Sequence, residues 1–191
     1  FPDTPLFRGH IKEVGFELYQ SMLEDAILEA KSGGSTDFVP RDAFAPQITI
    51  DAPVQIPEEY VPDLDLRMGL YRRLNDLDDD REVEAFAAEL IDRFGKLPPP
   101  TENLLTLIRI KQNCVKAGIA RLDVGAKGAL VAFHNDQFAN PVGLIDYVQR
   151  LAGAAKLRPD NKLVIARAWN DDAARLHAGL QLSRGLAKVA R

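Results

Sequence analysis

The chain has 191 residues, of which 46% are hydrophobic and 27% charged, as is typical of a soluble globular protein. This length suffices for one compact domain with an appendage and is too short for two large domains. No apolar run is long enough to cross a bilayer, so we expect no membrane partner. A single cysteine, Cys114, excludes an internal disulfide and a cysteine-based zinc cluster, and we interpret it as a small core residue.

The N-terminus and the cysteine usage bear on the origin of the chain. It begins at Phe1 rather than Met and has no signal-peptide pattern, so we expect a segment of a longer protein. The lack of cysteine pairs is compatible with a reducing compartment, and we expect a cytoplasmic protein.

Charge is divided unevenly along the chain. Residues 1–100 carry 10 Lys/Arg against 21 Asp/Glu, a net charge of −11, whereas residues 101–191 carry 14 against 7, a net charge of +7. Such asymmetry can indicate an acidic and a basic partner surface, or equally two solvated faces of one domain.

The first 46 residues are predicted to form a helix and a linker. Apolar residues from His10 to Lys31 recur at helical spacing, with glutamates between them, which predicts an amphipathic helix. Ser32-Gly-Gly-Ser35 ends it, and residues 32–46 show no periodicity, which predicts a flexible linker. We therefore divide the chain into a terminal helix (1–31), a linker (32–46) and a main domain (47–191).

The first half of the main domain is predicted to be mostly helical. Residues 48–51 alternate like a strand, and Asp63 can cap a helix over residues 64–77 whose outer face carries Arg73. A second helix runs from about residue 81 to Phe94, where Gly95 suits a left-handed C-terminal position. Thr101 can then cap a helix that ends near residue 117.

The second half alternates between strand and helix patterns. Residues 119–124 and 129–133 predict a hairpin, followed by a helix that starts at Asn140-Pro141 and ends near residue 151. A strand over 162–168 and a helix over 171–188 complete the chain. These elements predict a compact α+β domain with several helices and a small β-sheet, preceded by a tethered amphipathic helix.

The search for chemistry finds no recognisable catalytic or metal site. The sequence has no Gly-x-x-x-x-Gly-Lys-Ser/Thr loop, no His-Glu-x-x-His and no Gly-x-Ser-x-Gly. Its three histidines, His10, His134 and His177, lie in three different predicted elements. An enzyme would therefore need distant side chains to converge, and we predict no catalytic residue, cofactor-binding residue or metal ligand.

A basic surface is the alternative candidate for function. Residues 150–191 carry nine Lys/Arg against three aspartates, which could bind nucleic-acid phosphates. Trp169 is the sole aromatic residue there, so no platform for stacked bases is evident. We favour a solvated surface and keep a nucleic-acid-binding accessory module as the alternative function.

Three segments resemble one protein family in order and spacing. They are Gly9–Glu24 (GHIKEVGFELYQSMLE), Ile56–Leu74 (IPEEYVPDLDLRMGLYRRL) and Glu89–Pro98 (ELIDRFGKLP). Together they resemble the C-terminal end of the bacterial transcription-repair coupling factors (Mfd), large ATP-dependent DNA translocases. The first segment is similar to the helix that closes the second motor domain, and the other two are similar to the small terminal domain. Residues 120–191 match only loosely.

The resemblance implies a function without catalysis in this part of the protein. ATP and Mg²⁺ would bind the motor domains upstream, which would also contact DNA and displace stalled RNA polymerase. The terminal domain would pack on an N-terminal module related to UvrB, mask the surface that recruits UvrA for nucleotide excision repair, and restrain the motor. The family's masking contact maps here onto Glu89, Asp92 and Arg93.

The residues themselves are compatible with such a contact. At 100° per residue, Glu89 and Arg93 lie almost above one another and Asp92 lies on the same flank of the helix. Arg93 could hold a carboxylate across an interface, while Glu89 and Asp92 could pair with arginines. The alternative is an ordinary intrahelical Glu89–Arg93 pair worth about 0.3–0.5 kcal/mol.

Overall fold

Five α-helices and five strands are found in residues 45–191, the part of the chain that the computed structural model describes. The strands are β1 (Gln47–Ile50), β2 (Ile119–Gly125), β3 (Gly128–Phe133), β4 (Ala155–Leu157) and β5 (Leu163–Ala166). The helices are α1 (Leu64–Asn75), α2 (Asp80–Phe94), α3 (Pro99–Ala117), α4 (Pro141–Arg150) and α5 (Asp172–Val189). The helix predicted over residues 10–31, and the linker prediction except for residues 45 and 46, lie outside the described residues.

The strands form one mixed sheet in the order β1-β2-β3-β5-β4. β1 runs parallel to β2, and the other neighbours are antiparallel. The predicted hairpin is confirmed, with Gly125 paired to Gly128 at its turn. Gly128 has a φ of 155°, and a Cβ there would lie 2.0 Å from the carbonyl oxygen of Ile165, so the approach of β5 leaves no room for a side chain.

Polar side chains fix where most helices begin. Asp63, Asp79, Asn140 and Asp171 each accept a hydrogen bond from a backbone N–H in the first turn of the helix that follows. This satisfies donors that have no partner within the helix. The predicted cap at Asp63 and the predicted helix start at Asn140-Pro141 are thereby confirmed.

Two details of the helix ends differ from the sequence-based predictions. α3 begins at Pro99 rather than after Thr101, because prolines at the first helical positions need no hydrogen-bond partner and already have a helical φ. Thr101 is fully buried within the helix, and its hydroxyl donates to the carbonyl oxygen of Gln55 at 3.0 Å. Gly95 has the expected positive φ of 89°, but its ψ of −164° lies outside the left-handed helical region.

Two apolar cores meet along α3. The N-terminal half of this helix contributes Leu104 and Ile108 to a core shared with α1 and α2. Its C-terminal half contributes Ile110 and Cys114 to a second core between the sheet and helices α4 and α5. This arrangement confirms the α+β class, and it places α1 and α2 together as a helical layer beside the sheet.

Candidate functional site

The segment that carries Glu89, Asp92 and Arg93 is a well-anchored helix. α2 buries Val83, Phe86 and Leu90 in the helical core. The capping hydrogen bond at its start comes from the backbone N–H of Glu82 to Asp79 and measures 2.9 Å. The side chain of Glu82 in turn accepts from the backbone N–H of Asp78 at 2.6 Å. Such reciprocal capping satisfies two N-terminal donors and fixes the start of the helix.

Tyr60 holds the other end of α2. Its hydroxyl lies 2.8 Å from the carbonyl oxygen of Gly95 and 3.1 Å from that of Leu90, both of which can accept its proton. Its ring meets Phe94 edge-on, with 5.7 Å between centroids. Desolvation raises the pKa of Tyr60, so the hydroxyl keeps its proton at neutral pH. The last turn of α2 is therefore fixed by a contact from outside the helix.

Glu89 lies between two arginines. Arg73 of α1 binds it with both terminal nitrogens, at 2.8 Å to Oε1 and 2.5 Å to Oε2. Arg93, one turn further along α2, donates to Oε1 at 2.8 Å. These hydrogen bonds, those of Arg73 first, lower the pKa of Glu89 to about 2, so its carboxylate is ionised throughout the physiological range.

Both arginines also lie over aromatic rings. The guanidinium carbon of Arg73 is 5.1 Å from the centroid of the Phe86 ring, and that of Arg93 is 5.0 Å from the centroid of the Phe94 ring. Cation–π contact adds to the hydrogen bonds in fixing the two guanidinium groups. The side chains of Arg73 and Arg93 remain 50% and 40% exposed, which leaves both accessible to a partner.

Asp92 completes the surface and differs from Glu89. Its side chain is exposed and makes no hydrogen bond or ion pair with any other residue between 45 and 191. Ile91 beside it is an exposed apolar side chain, at 49%. We call Arg73, Glu89, Asp92 and Arg93 the α1–α2 charge cluster. It combines an ion-paired triad with one carboxylate, that of Asp92, which has no partner in the described part of the chain.

The intrahelical Glu89–Arg93 pair, which was the alternative to an interface contact, is therefore present. Sequence reasoning placed Arg73 on the outer face of its helix but missed its pairing with Glu89. The two residues lie 16 positions apart on different helices, so no helical spacing indicates the contact. The sequence offered only an outward-facing arginine on one predicted helix and a glutamate beside the apolar face of the next.

Three of the nine basic residues in 150–191 pair with groups inside the domain. Arg158 and Lys162 both lie near Asp160, at 3.2 and 3.7 Å. Arg175 donates to the carbonyl oxygens of Asp51 and Trp169, and its side chain is only 12% exposed. Trp169 packs against the sheet core instead of forming an exposed platform. These contacts favour a structural role for three of the nine, whereas the other six are exposed and have no side-chain partner among residues 45–191.

The remaining candidates for chemistry are separated from one another or buried. Within residues 45–191 no three His, Cys, Asp or Glu side chains are grouped so that they could hold a metal ion. Burial raises the pKa of Cys114 to about 12, which keeps it a thiol. His134 and His177 are exposed on different elements, and His10 lies outside the described residues.

None of the helices described is long and apolar enough to span a membrane.

Taken together, the fold and this surface define an α+β domain with a polar cluster on two adjacent helices. Residues 50–144 match the TRCF domain family. The chain belongs to this family, and its curated relatives are named transcription-repair-coupling factors.

Curated relatives support this assignment. The chain is 43% identical over 160 residues to the transcription-repair-coupling factor of Rickettsia bellii, a match that covers 83% of this chain. It is 31% identical over 156 residues to that of Escherichia coli, covering 78% of this chain. Each match spans only 14% of the relative's length, so the chain corresponds to a small part of those proteins.

A solved structure supports the fold. The crystal structure of a C-terminal domain of transcription-repair coupling factor matches with a TM-score of 0.65 at 20% identity, covering 76% of this chain and 93% of that one. This similarity confirms the predicted α+β architecture.

Proposed function

We propose that this domain is an autoinhibitory protein-interaction domain of an ATP-dependent DNA translocase that displaces stalled RNA polymerase and recruits nucleotide excision repair. In this proposal the domain packs on the UvrB-like N-terminal module of the same protein and masks the surface that binds UvrA. The family membership of the chain supports this role, since its relatives are named transcription-repair-coupling factors. ATP and Mg²⁺ would bind motor domains elsewhere in the protein, and we propose no cofactor for this domain.

The observation that carries the proposal is the α1–α2 charge cluster. Arg93 is held by its hydrogen bond to Glu89 and by its contact with the Phe94 ring, so little of its side-chain freedom remains to be lost on binding. Asp92 presents a carboxylate without a partner in the described part of the chain. Fixed, half-exposed charges of both signs are well suited to a specific polar contact.

A contact of this kind can be released. Interfaces between domains of one chain are more polar than permanent interfaces, and relative motion is their default behaviour. A partner such as stalled RNA polymerase need only favour the open arrangement to shift the population toward it. Opening would then uncover the UvrA-binding surface of the N-terminal module, and we propose that this occurs in the cytoplasm, where the parent protein would meet its DNA.

Isothermal titration of this domain with the parent protein's UvrB-like module tests the proposal. We expect the wild type to bind and the double variant Glu89→Lys/Asp92→Lys to lose binding, because a desolvated charged contact typically costs about 2–5 kcal/mol when broken. Glu58→Lys/Glu102→Lys is the matched control, since it reverses two exposed acidic side chains that lie outside α2.

Full-length protein provides the second readout. There the Glu89→Lys/Asp92→Lys change should increase capture of UvrA, while the Glu58→Lys/Glu102→Lys control should not. Unchanged UvrA capture together with unchanged titration would show that the cluster is not the masking contact.

A further inference from the structure

The carboxylate of Glu89 already holds a guanidinium supplied by another helix. Arg73 occupies both of its oxygens, and Arg93 shares one of them. A partner arginine that approached Glu89 would therefore meet two positive charges rather than a free anion. A partner guanidinium that binds both oxygens of Glu89 side by side requires Arg73 to leave, because Arg73 now occupies that bidentate position.

Arg73 is the arginine that can leave without disturbing α2. It reaches Glu89 from α1, and its side chain is half exposed. Arg93 is one turn from Glu89 on the same helix, so its contact is local and is kept whenever the helix is formed. The Arg73 contact instead joins two helices through side chains alone.

The charge of α2 indicates which partner would displace Arg73. The helix carries five acidic residues, Asp80, Glu82, Glu84, Glu89 and Asp92, against two basic ones, Arg81 and Arg93. An acidic helix attracts a cationic surface, and the bidentate geometry at Glu89 matches a guanidinium better than an ammonium. A partner arginine is thus the group that reproduces the bonds Arg73 now makes.

We propose that the domain binds its partner by exchange, in which an arginine of the partner module replaces Arg73 on Glu89 while a second cation pairs with Asp92. This rests on the proposed function, and it adds Arg73 as a residue that sets the strength of the contact. The bonds lost to Arg73 offset those gained from the partner, so the exchange leaves a weak, reversible contact. Asp92 has no such competitor among residues 45–191 and is the point of first attraction.

The exchange makes a counterintuitive prediction for Arg73→Gln. Removing the competing guanidinium leaves Glu89 more available, so titration with the UvrB-like module should show roughly two- to fivefold tighter binding, the fold-change equivalent of one exposed ion pair. Arg109→Gln is the control, because it removes the ion pair between Arg109 and Asp80 at the far end of α2 and should leave the affinity unchanged. Equal or weaker binding by Arg73→Gln would overturn the proposal.

A double-mutant comparison separates competition from a general effect on folding. In a Glu89→Gln background the further Arg73→Gln change should no longer tighten binding, because the carboxylate under competition is gone. A gain that persists in this background would refute the exchange. If Arg73→Gln does not fold, Arg73→Lys is the second variant, because it keeps the charge and the aliphatic stem but loses the bidentate guanidinium. Arg73→Lys should bind the module up to about twofold more tightly than the wild type does. Binding weaker than that of the wild type would overturn the proposal.

The charge-reversal variant distinguishes the two proposals. If Glu89→Lys/Asp92→Lys abolishes binding but Arg73→Gln does not strengthen it, the cluster is the interface and the exchange is wrong. If Glu89→Lys/Asp92→Lys binds as the wild type does, the proposed function itself fails, whatever Arg73→Gln does.

Discussion

Replacing Glu89 by Gln should destabilise the domain in a pH-dependent way. The folded-state pKa of this carboxyl is lowered from 4.5 to about 2 by Arg73 and then Arg93. A carboxyl with a depressed pKa contributes stability that is fully present above its unfolded pKa and is lost as the pH falls through the folded value. The window of loss therefore runs from about pH 4.5 down to about pH 2.

The magnitude follows from the pKa shift and the exposure of the side chain. A shift of this size corresponds to roughly 3 kcal/mol at about 1.4 kcal/mol per pKa unit. The Glu89 side chain is 32% exposed and its arginine partners more so, which screens the interaction. We therefore expect a loss of about 1 kcal/mol at pH 7, in the upper range for exposed ion pairs.

Urea denaturation of the wild type and Glu89→Gln between pH 3 and pH 7 measures this difference, since urea does not screen ion pairs as guanidinium does. The difference in free energy of unfolding should fall to less than about half of its pH 7 value by pH 3. Glu84→Gln is the control, because this exposed acid on α2 forms no ion pair with the described residues, and it should be near neutral at every pH. A Glu89→Gln effect that stays constant with pH would refute the electrostatic origin.

Two further predictions concern buried groups. Tyr71→Phe should lower the free energy of unfolding in urea by about 1–3 kcal/mol, because the hydroxyl accepts a buried hydrogen bond of 2.7 Å from the backbone N–H of Ile56. The control is Tyr147→Phe, whose hydroxyl has no hydrogen-bond partner among residues 45–191 and which should change stability by less than about 0.5 kcal/mol. Equal effects of the two variants would contradict this explanation. Cys114, whose pKa is raised to about 12 by burial, should react with a thiol reagent at pH 8 only when the domain is unfolded in urea, and rapid labelling of the native protein would show that the site opens.

The secondary structure was largely predictable where local chemistry decides it. The predicted start of α2 at residue 81 and its end at Phe94 agree with the structure within one residue, because apolar spacing and Gly95 mark both limits. β4 was missed, since three residues that include an exposed lysine show too short an alternation to indicate a strand. The parallel pairing of β1 with β2 was equally unpredictable, because about 70 residues separate the two strands.

The candidate site was predictable only in part. Helical geometry correctly brought Glu89 and Arg93 together, and it left Asp92 exposed. The contribution of Arg73 depends on how α1 packs beside α2, which tertiary contacts determine and periodicity along one helix does not. The assignment of these residues to an interface remains a prediction.

The position of α3 between two cores has a consequence for mechanical behaviour. At 19 residues the helix is about 28 Å long, and its two halves are buried in different parts of the molecule. Neither part can unfold locally without exposing the apolar residues that α3 lends to it, so their unfolding is coupled. A pulling force applied through the helical layer would therefore be resisted by the sheet as well.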